Sequence, residues 1–187
     1  MKKLVGIDVR PVISNIVSTS NLHHKVDIKK FVKFGWGTYD NAIYGGRCGY
    51  VKTPEMQGRV IVFPSGKMIS VGAKSSRKSF EQLNQAKFCL LKEKLISDIR
   101  LKHKIQNIVG TLNLKNNLKI NQIVTKLQGA IYEPEQFPGV ILKSTRSLSY
   151  LIFASGKIVI SGAKSENELM EASFEIQRKI KSFNRSI

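Results

Sequence analysis

Residues Phe63–Ser75 read FPSGKMISVGAKS, and residues Phe153–Ser165 read FASGKIVISGAKS. Eight of the thirteen aligned positions are identical, where unrelated stretches of ordinary composition would share about one. A second echo lies upstream: SNIVSTSNL (Ser14–Leu22) matches QNIVGTLNL (Gln106–Leu114) at six of nine positions with an offset of 92. Between the two, TYDNAIYGG (Thr38–Gly46) aligns with IYEPEQFPG (Ile131–Gly139) at an offset of 93. The offset then drifts to 90, which requires only small insertions and deletions in loops. Two tandem copies of about 90 residues fill the 187-residue chain, so the whole protein is a duplication. The expected organisation is an N-terminal extension over 1–10, a first repeat over 11–100 and a second over 101–187.

Each copy carries the same order of signals. An apolar strand comes first (Val12–Thr19; Ile105–Thr111), then a short helical stretch (Asp27–Phe34; Leu118–Leu127), with Asp27 as expected N-cap of the first. Short strands follow at Arg47–Lys52, Arg59–Phe63 and Lys67–Ala73, with counterparts at Val140–Lys143, Ser149–Phe153 and Lys157–Ala163. PSGK and ASGK read as hairpin turns built on Gly66 and Gly156. A long helix closes each copy, from Ser75 to about Ile96 and from Ser165 to about Phe183. Ser75 and Ser165 take the cap positions, and Glu168 completes a capping box with Ser165. The expected class is α+β, an antiparallel sheet with helices. Helices of this number cover one face of such a sheet, yet the strands are apolar on both. Val159 and Ser161 face one way and Ile158 and Ile160 the other; Ile69 and Val71 likewise oppose Met68 and Ser70. An apolar sheet face left open is a binding surface or an aggregation hazard, and in a chain of +18 a ligand for that face is expected.

Charge points to the ligand. Thirty-one Lys and Arg against thirteen Asp and Glu leave a formal charge of +18, which favours a polyanion such as DNA or RNA. The basic residues are scattered, so a disordered basic arm is not the explanation. No apolar run approaches the ~20 residues of a bilayer span, and the N-terminal MKKLVGIDVRPVIS is broken by Gly6, Asp8 and Arg10. No membrane partner is expected. Cys48 and Cys89 match no metal or redox spacing, and an intracellular chain with reduced thiols is expected. SGK and GAKS do not fit a phosphate-loop pattern. His23, His24 and His103 suggest surface or loop histidines, not metal ligands. No nucleophile constellation or acidic metal pair is visible, so neither an enzyme nor a cofactor is expected.

The two SGK…GAKS phrases, SNIVST, KIQNIVG and YEPEQFPG, over about Pro11–Phe183, resemble the TATA-box-binding protein family, the first repeat being the more divergent. The resemblance implies a saddle-shaped, curved antiparallel sheet from two tandem repeats, with helices on the convex face. Its concave face would sit on the DNA minor groove, where A·T pairs show only acceptors. Asn15 and Asn107 match the family's groove-centre asparagines; Val17, Ile69, Val109 and Val159 match apolar groove contacts. Val71 and Ser161 stand where the family usually has threonines, and Val71 loses that hydroxyl. Four aromatic wedges would kink the duplex: Phe137 with Phe153 in the second copy, Tyr44 with Phe63 in the first. Lys67, Lys74, Lys143, Lys157 and Lys164 match phosphate-flanking cations, each neutralised phosphate contributing about −0.9 to the log–log salt slope.

The partners so implied are double-stranded A/T-rich DNA, a transcription factor IIB-like protein gripping Glu133, Glu135 and Gln136 on the second stirrup, and transcription factor IIA-like and other regulators. A self-dimer of the free chain is left open. The implied function is general transcription initiation at TATA-like promoters, in the nucleus of a eukaryote or with the chromosome in a cytoplasm. The alternative is a diverged paralogue, a protein-interaction platform with weakened bending, suggested by Tyr44, Val71 and the lengthened segment between Tyr44 and Phe63. A saddle serving a separate enzyme subunit is the third reading.

Overall fold

The structure is a computed structural model and describes residues 9–144 and 147–184. It divides into two compact units, 14–107 and, among the described residues, 9–13 with 108–184. The expected repeat boundaries fall a few residues before these packing boundaries. Residues 9–13 join the second unit because the Gln177 amide holds both backbone groups of Val9, accepting from its N–H at 2.9 Å and donating to its carbonyl at 2.8 Å.

The first half contains strands β1 (Val12–Asn21), β2 (Gly37–Thr38), β3 (Gly49–Val51), β4 (Arg59–Val62) and β5 (Lys67–Ala73), followed by helix α1 (Ser76–Lys92). The second contains β6 (Lys104–Asn113), helix α2 (Ile120–Lys126), β7 (Ala130–Ile131), β8 (Gly139–Lys143), β9 (Ser149–Phe153), β10 (Lys157–Ala163) and helix α3 (Glu166–Asn184). Pairing is antiparallel and equivalent in the two halves: β2-β3-β4-β5-β1 and β7-β8-β9-β10-β6. The class is α+β.

The repeated phrases mark the positions where the backbone has fewest choices. Gly66 and Gly156 turn their hairpins at φ 85° and 82°. Their carbonyls accept from Leu22 and Leu114 at 2.9 and 3.0 Å, tying the segment after the first strand of each copy to the hairpin. In GAK, Gly72 and Gly162 lie at φ 87° and 103°, where the pairing with β1 and β6 shifts register. These are bulges that only glycine enters without strain.

The capping serines behave as expected. Ser75 Oγ accepts from the Lys78 N–H at 3.2 Å and Ser165 Oγ from that of Glu168 at 3.0 Å. Glu168 returns its carboxylate to the Lys164 N–H at 2.7 Å, one residue outside the cap. Three expectations need correction. The stretch after Asp27 is a 3-10 helix, Ile28–Lys33, and Asp27 makes no side-chain cap bond; its carboxylate lies 3.8 Å from Lys30. Helix α1 stops at Lys92, short of Ile96, because Lys94 enters the left-handed region at φ 54°. Leu95 N–H then bonds the Leu90 carbonyl and Lys94 N–H that of Leu91 at 2.9 Å each, a Schellman closure that folds Leu95 and Ile96 back onto the core. Finally, a 3-10 turn at Tyr44–Gly46 delays β3 to Gly49, so Arg47 and Cys48 are not strand residues.

The helix-facing sides of the strands are closed. Val60, Val62 and Met68 pack with Leu83, Ala86 and Leu90 in the first half, and Ile152, Ile158 and Ile160 are buried with Leu169, Ala172 and Ile176 in the second. The first half also buries a polar cluster. Ser18 and Ser79 share a 2.5 Å hydrogen bond. Gln82 donates to Ser70 at 2.8 Å and accepts from the Gly58 N–H at 2.7 Å.

Candidate nucleic-acid interface

The other sheet face carries the residues singled out for a groove. Asn15, Val17, Ile69, Val71 and Asn107 are half-buried in the first unit, and Val109, Val159 and Ser161 in the second. Met68 and Ser70 in β5, and Ile158 and Ile160 in β10, are fully buried, so the two-faced reading of KMISV and KIVIS holds. Asn15 Oδ1 accepts from the Gly72 N–H at 2.7 Å. That bond fixes the amide so that its NH2 group is left as a donor, the polarity that adenine N3 and thymine O2 require. Lys67, Lys74, Lys143, Lys157 and Lys164 are all exposed.

In the second half Phe137 and Phe153 meet edge to face, with ring centroids 5.6 Å apart. A β-carbon on Gly139, directly across the ladder from Phe153, would come within 2.9 Å of one ring and 3.0 Å of the other. Glycine makes the space. Phe137 is held by the turn that exposes Glu133, Glu135 and Gln136, since its N–H and that of Gln136 both bond the Glu133 carbonyl, at 2.8 and 2.9 Å.

The first half does not build the matching pair. Val62 pairs with Gly49 as Ile152 pairs with Val140, so counting back puts Cys48 across from Phe63 and Gly46 in the place of Phe137. Tyr44 lies two residues earlier in an inserted turn, at φ 50° and 76% exposed, and makes no ring contact with Phe63. Phe63 is half-buried.

The same insertion produces a feature that the sequence reading missed. Ile43, Tyr44, Tyr50, Lys52, Gln57, Arg59 and Val71 contribute to an open cleft of about 730 Å³. Arg59 pairs across the ladder with Val71 and its guanidinium carbon sits 4.8 Å from the Tyr50 ring centre. Tyr50 is buried. The Cys48 hydrogen bond first, and burial second, push its phenol above the ordinary value, while Arg59 opposes them. Alternation in RVIV was the available signal, because it puts Arg59 on the face of Ile61. His103 lies in the loop before β6, half-buried, with its ring 5.2 Å from Phe80. Among the described residues no cluster could hold a metal ion, and no helix is long and apolar enough to cross a membrane.

A duplicated antiparallel sheet with amide donors and small apolar side chains on its open face, flanked by lysines, defines a DNA-binding class. The sequence pattern described as "Transcription factor TFIID (or TATA-binding protein, TBP)" matches residues 10–91 and 102–183. The chain belongs to the TATA-box-binding protein family, whose members are DNA-binding general transcription initiation factors. It is 50% identical over 167 residues to the TATA-box-binding protein of Cenarchaeum symbiosum (strain A), covering 89% of this chain and 92% of that one. It is 36% identical over 182 residues to TATA box-binding protein-like 2 of Homo sapiens, covering 94% of this chain but 51% of that protein, so it spans about half the human relative's length. Among solved structures, Methanococcus jannaschii TBP matches with a TM-score of 0.81 at 27% identity, over 92% of this chain and 99% of that one. Similarity to a relative that carries the family's own name favours the initiation factor over the diverged paralogue.

Proposed function

We propose that this protein binds A/T-rich promoter DNA in the minor groove, kinks it, and offers the kinked complex to the transcription machinery. The observation that carries the reading is the Phe137–Phe153 pair, two apolar rings packed edge to face over a glycine at the end of a strand ladder. Large apolar side chains at such a site unstack a base step. Asn15 and Asn107 donate to the groove floor; Val17, Ile69, Val71, Val109, Val159 and Ser161 supply a smooth surface that tolerates A·T in either orientation and meets the guanine amino group badly. Lys67, Lys74, Lys143, Lys157 and Lys164 neutralise phosphates. Phe63 acts as a single wedge in the first half, with Tyr44 a weaker accessory.

The exposed Glu133, Glu135 and Gln136 form the handle for a transcription factor IIB-like protein, since two carboxylates in so basic a chain attract a cationic partner. In an archaeal cell the protein works beside the chromosome in the cytoplasm, in a eukaryotic one in the nucleus. Gel shift of the protein on an A/T-rich duplex and on its G/C-swapped counterpart tests the central reading: a strong preference for the former is expected, and equal affinity at moderate salt overturns it.

A further inference from the structure

The cleft of the first half contains a cation that the repeat does not. At the position where β4 pairs with β5, Arg59 faces Val71; at the equivalent position of the second half, Ser149 faces Ser161. Two small hydroxyls in one copy are replaced by a guanidinium and an apolar branch in the other. Period-two register places Arg59 on the face that carries Ile61, Ile69 and Val71, not on the rim with the hairpin lysines. Arg59 is exposed, and its stem is directed by the Tyr50 ring beneath the guanidinium, at 4.8 Å. Tyr50 is itself fixed, being 8% exposed. A cation held over a buried ring loses less freedom on binding than a solvated one.

Resting on the minor-groove reading, we infer that Arg59 reads base acceptors on the groove floor at the first-half end of the element and so gives the complex a preferred orientation. Its planar fork donates to adenine N3 and thymine O2. A guanine there would present its amino group, donor against donor. Val71 offers no hydrogen bond of its own, so Arg59 supplies the donor that the hydroxyl pair Ser149–Ser161 provides in the other half. The two ends of the protein therefore ask different things of the DNA: a guanidinium-accepting step at one, a hydroxyl-tolerant step at the other.

The test is binding by fluorescence anisotropy to an A/T-rich duplex and a set in which each A·T pair in turn is changed to G·C, across a salt series. Wild-type protein, Arg59→Ala, Arg59→Lys and Ser149→Ala are compared. A single wrong base pair costs between about fivefold and a hundredfold in affinity at a read position. In the wild type that penalty is expected at the one or two steps that Arg59 reaches. It should shrink to near unity there, and only there, in Arg59→Ala and Arg59→Lys, with Ser149→Ala leaving those steps untouched. Lysine keeps the charge and loses the fork, so its failure to restore discrimination separates base reading from charge. Uniform weakening across all duplexes, with the salt slope reduced by about 0.9 in Arg59→Ala and restored in Arg59→Lys, makes Arg59 a phosphate contact and overturns the inference. Unchanged profiles also overturn it. A wild type with no A/T preference at all refutes the minor-groove reading itself, a result distinct from either.

Discussion

Across from Phe153 stands Gly139, and two phenylalanine rings fill the space it leaves. Across from Phe63, by the same register, stands the buried Cys48, and the next aromatic in the chain, Tyr44, projects into solvent from an inserted turn. One half thus holds a preassembled pair of aromatic rings and the other a lone phenylalanine beside a cleft. Duplication preserves the ladder, the bulges and the caps, because each is needed for either half to fold; on the open face it keeps Asn15 with Asn107 and Val17 with Val109 but not the aromatic pair or the Ser149–Ser161 pair.

The sharpest way to break this comparison is to truncate the wedges separately. Stacking of an aromatic ring on a base is worth about 1–3 kcal/mol, so Phe137→Ala and Phe153→Ala should each weaken binding by that amount and reduce the bend, read by end-to-end fluorescence transfer on labelled duplex. Tyr44→Ala should change both far less, as a weaker accessory in an exposed turn would. Equal losses for Tyr44 and Phe137 would mean that the first half assembles a second wedge on DNA, and the asymmetry would be one of the free protein alone.

Behind the sheet the halves differ in a second way, which urea denaturation can read. Ser18, Ser70, Ser79 and Gln82 form a buried hydrogen-bonded cluster in the first half. The repeat puts Gly110, Ile160, Leu169 and Ala172 in those places, and a β-carbon on Gly110 would collide with the Leu169 side chain. Leu169→Ala should cost about 2–5 kcal/mol, the range for opening a cavity in a packed core. Ser79→Ala should cost less, about 1–3 kcal/mol, because little volume is lost and Ser70 keeps its bond from Gln82, while buried Ser18 loses the Ser79 hydroxyl. The reverse ranking would show that the polar cluster, not the apolar layer, sets helix–sheet cohesion. Ser165→Ala, removing a cap reinforced by Glu168, is expected at about 1 kcal/mol, and Ser75→Ala no higher.

How far the sequence could be read follows from where its constraints are local. SGK and GAKS encode turn and bulge dihedrals, so β5 and β10 are located residue for residue, and β9 with them. Alternation in KMISV and KIVIS assigns both faces, and the capping serines fix the starts of α1 and α3. The two-residue strands β2 and β7 carry no periodicity and exist only because β3 and β8 offer them a partner. Residues 44–48 read as strand and wedge, but two inserted residues set a 3-10 turn there and move Gly46 into the aromatic position. No local signal reports that shift; it emerges only when the ladder is counted back from β3. Arg59 was legible by register alone and was obscured by the many other basic residues around it.

The last difference is one of titration. All three histidines lie within residues 14–107, and only His103 is held against apolar surface, with Phe80 beside it and Nε2 buried without a partner. Burial lowers its pKa from the ordinary value of 6.5. Above about 6.5 the imidazole is neutral in both folded and unfolded chains, and its burial costs nothing extra. As pH falls below that value the unfolded chain takes up the proton first, so stability declines until the folded pKa is reached. Half-buried Glu81 and exposed Asp98 carry lowered pKa values from Lys78 with Arg77 and from Lys87 respectively; their small contributions are lost only at lower pH, as it falls through their folded values. The two windows are separable. Urea midpoints between pH 7.5 and 5.5 should fall more steeply for the wild type than for His103→Gln, which keeps a polar group but does not titrate. Parallel slopes in the two proteins would place the acid sensitivity elsewhere.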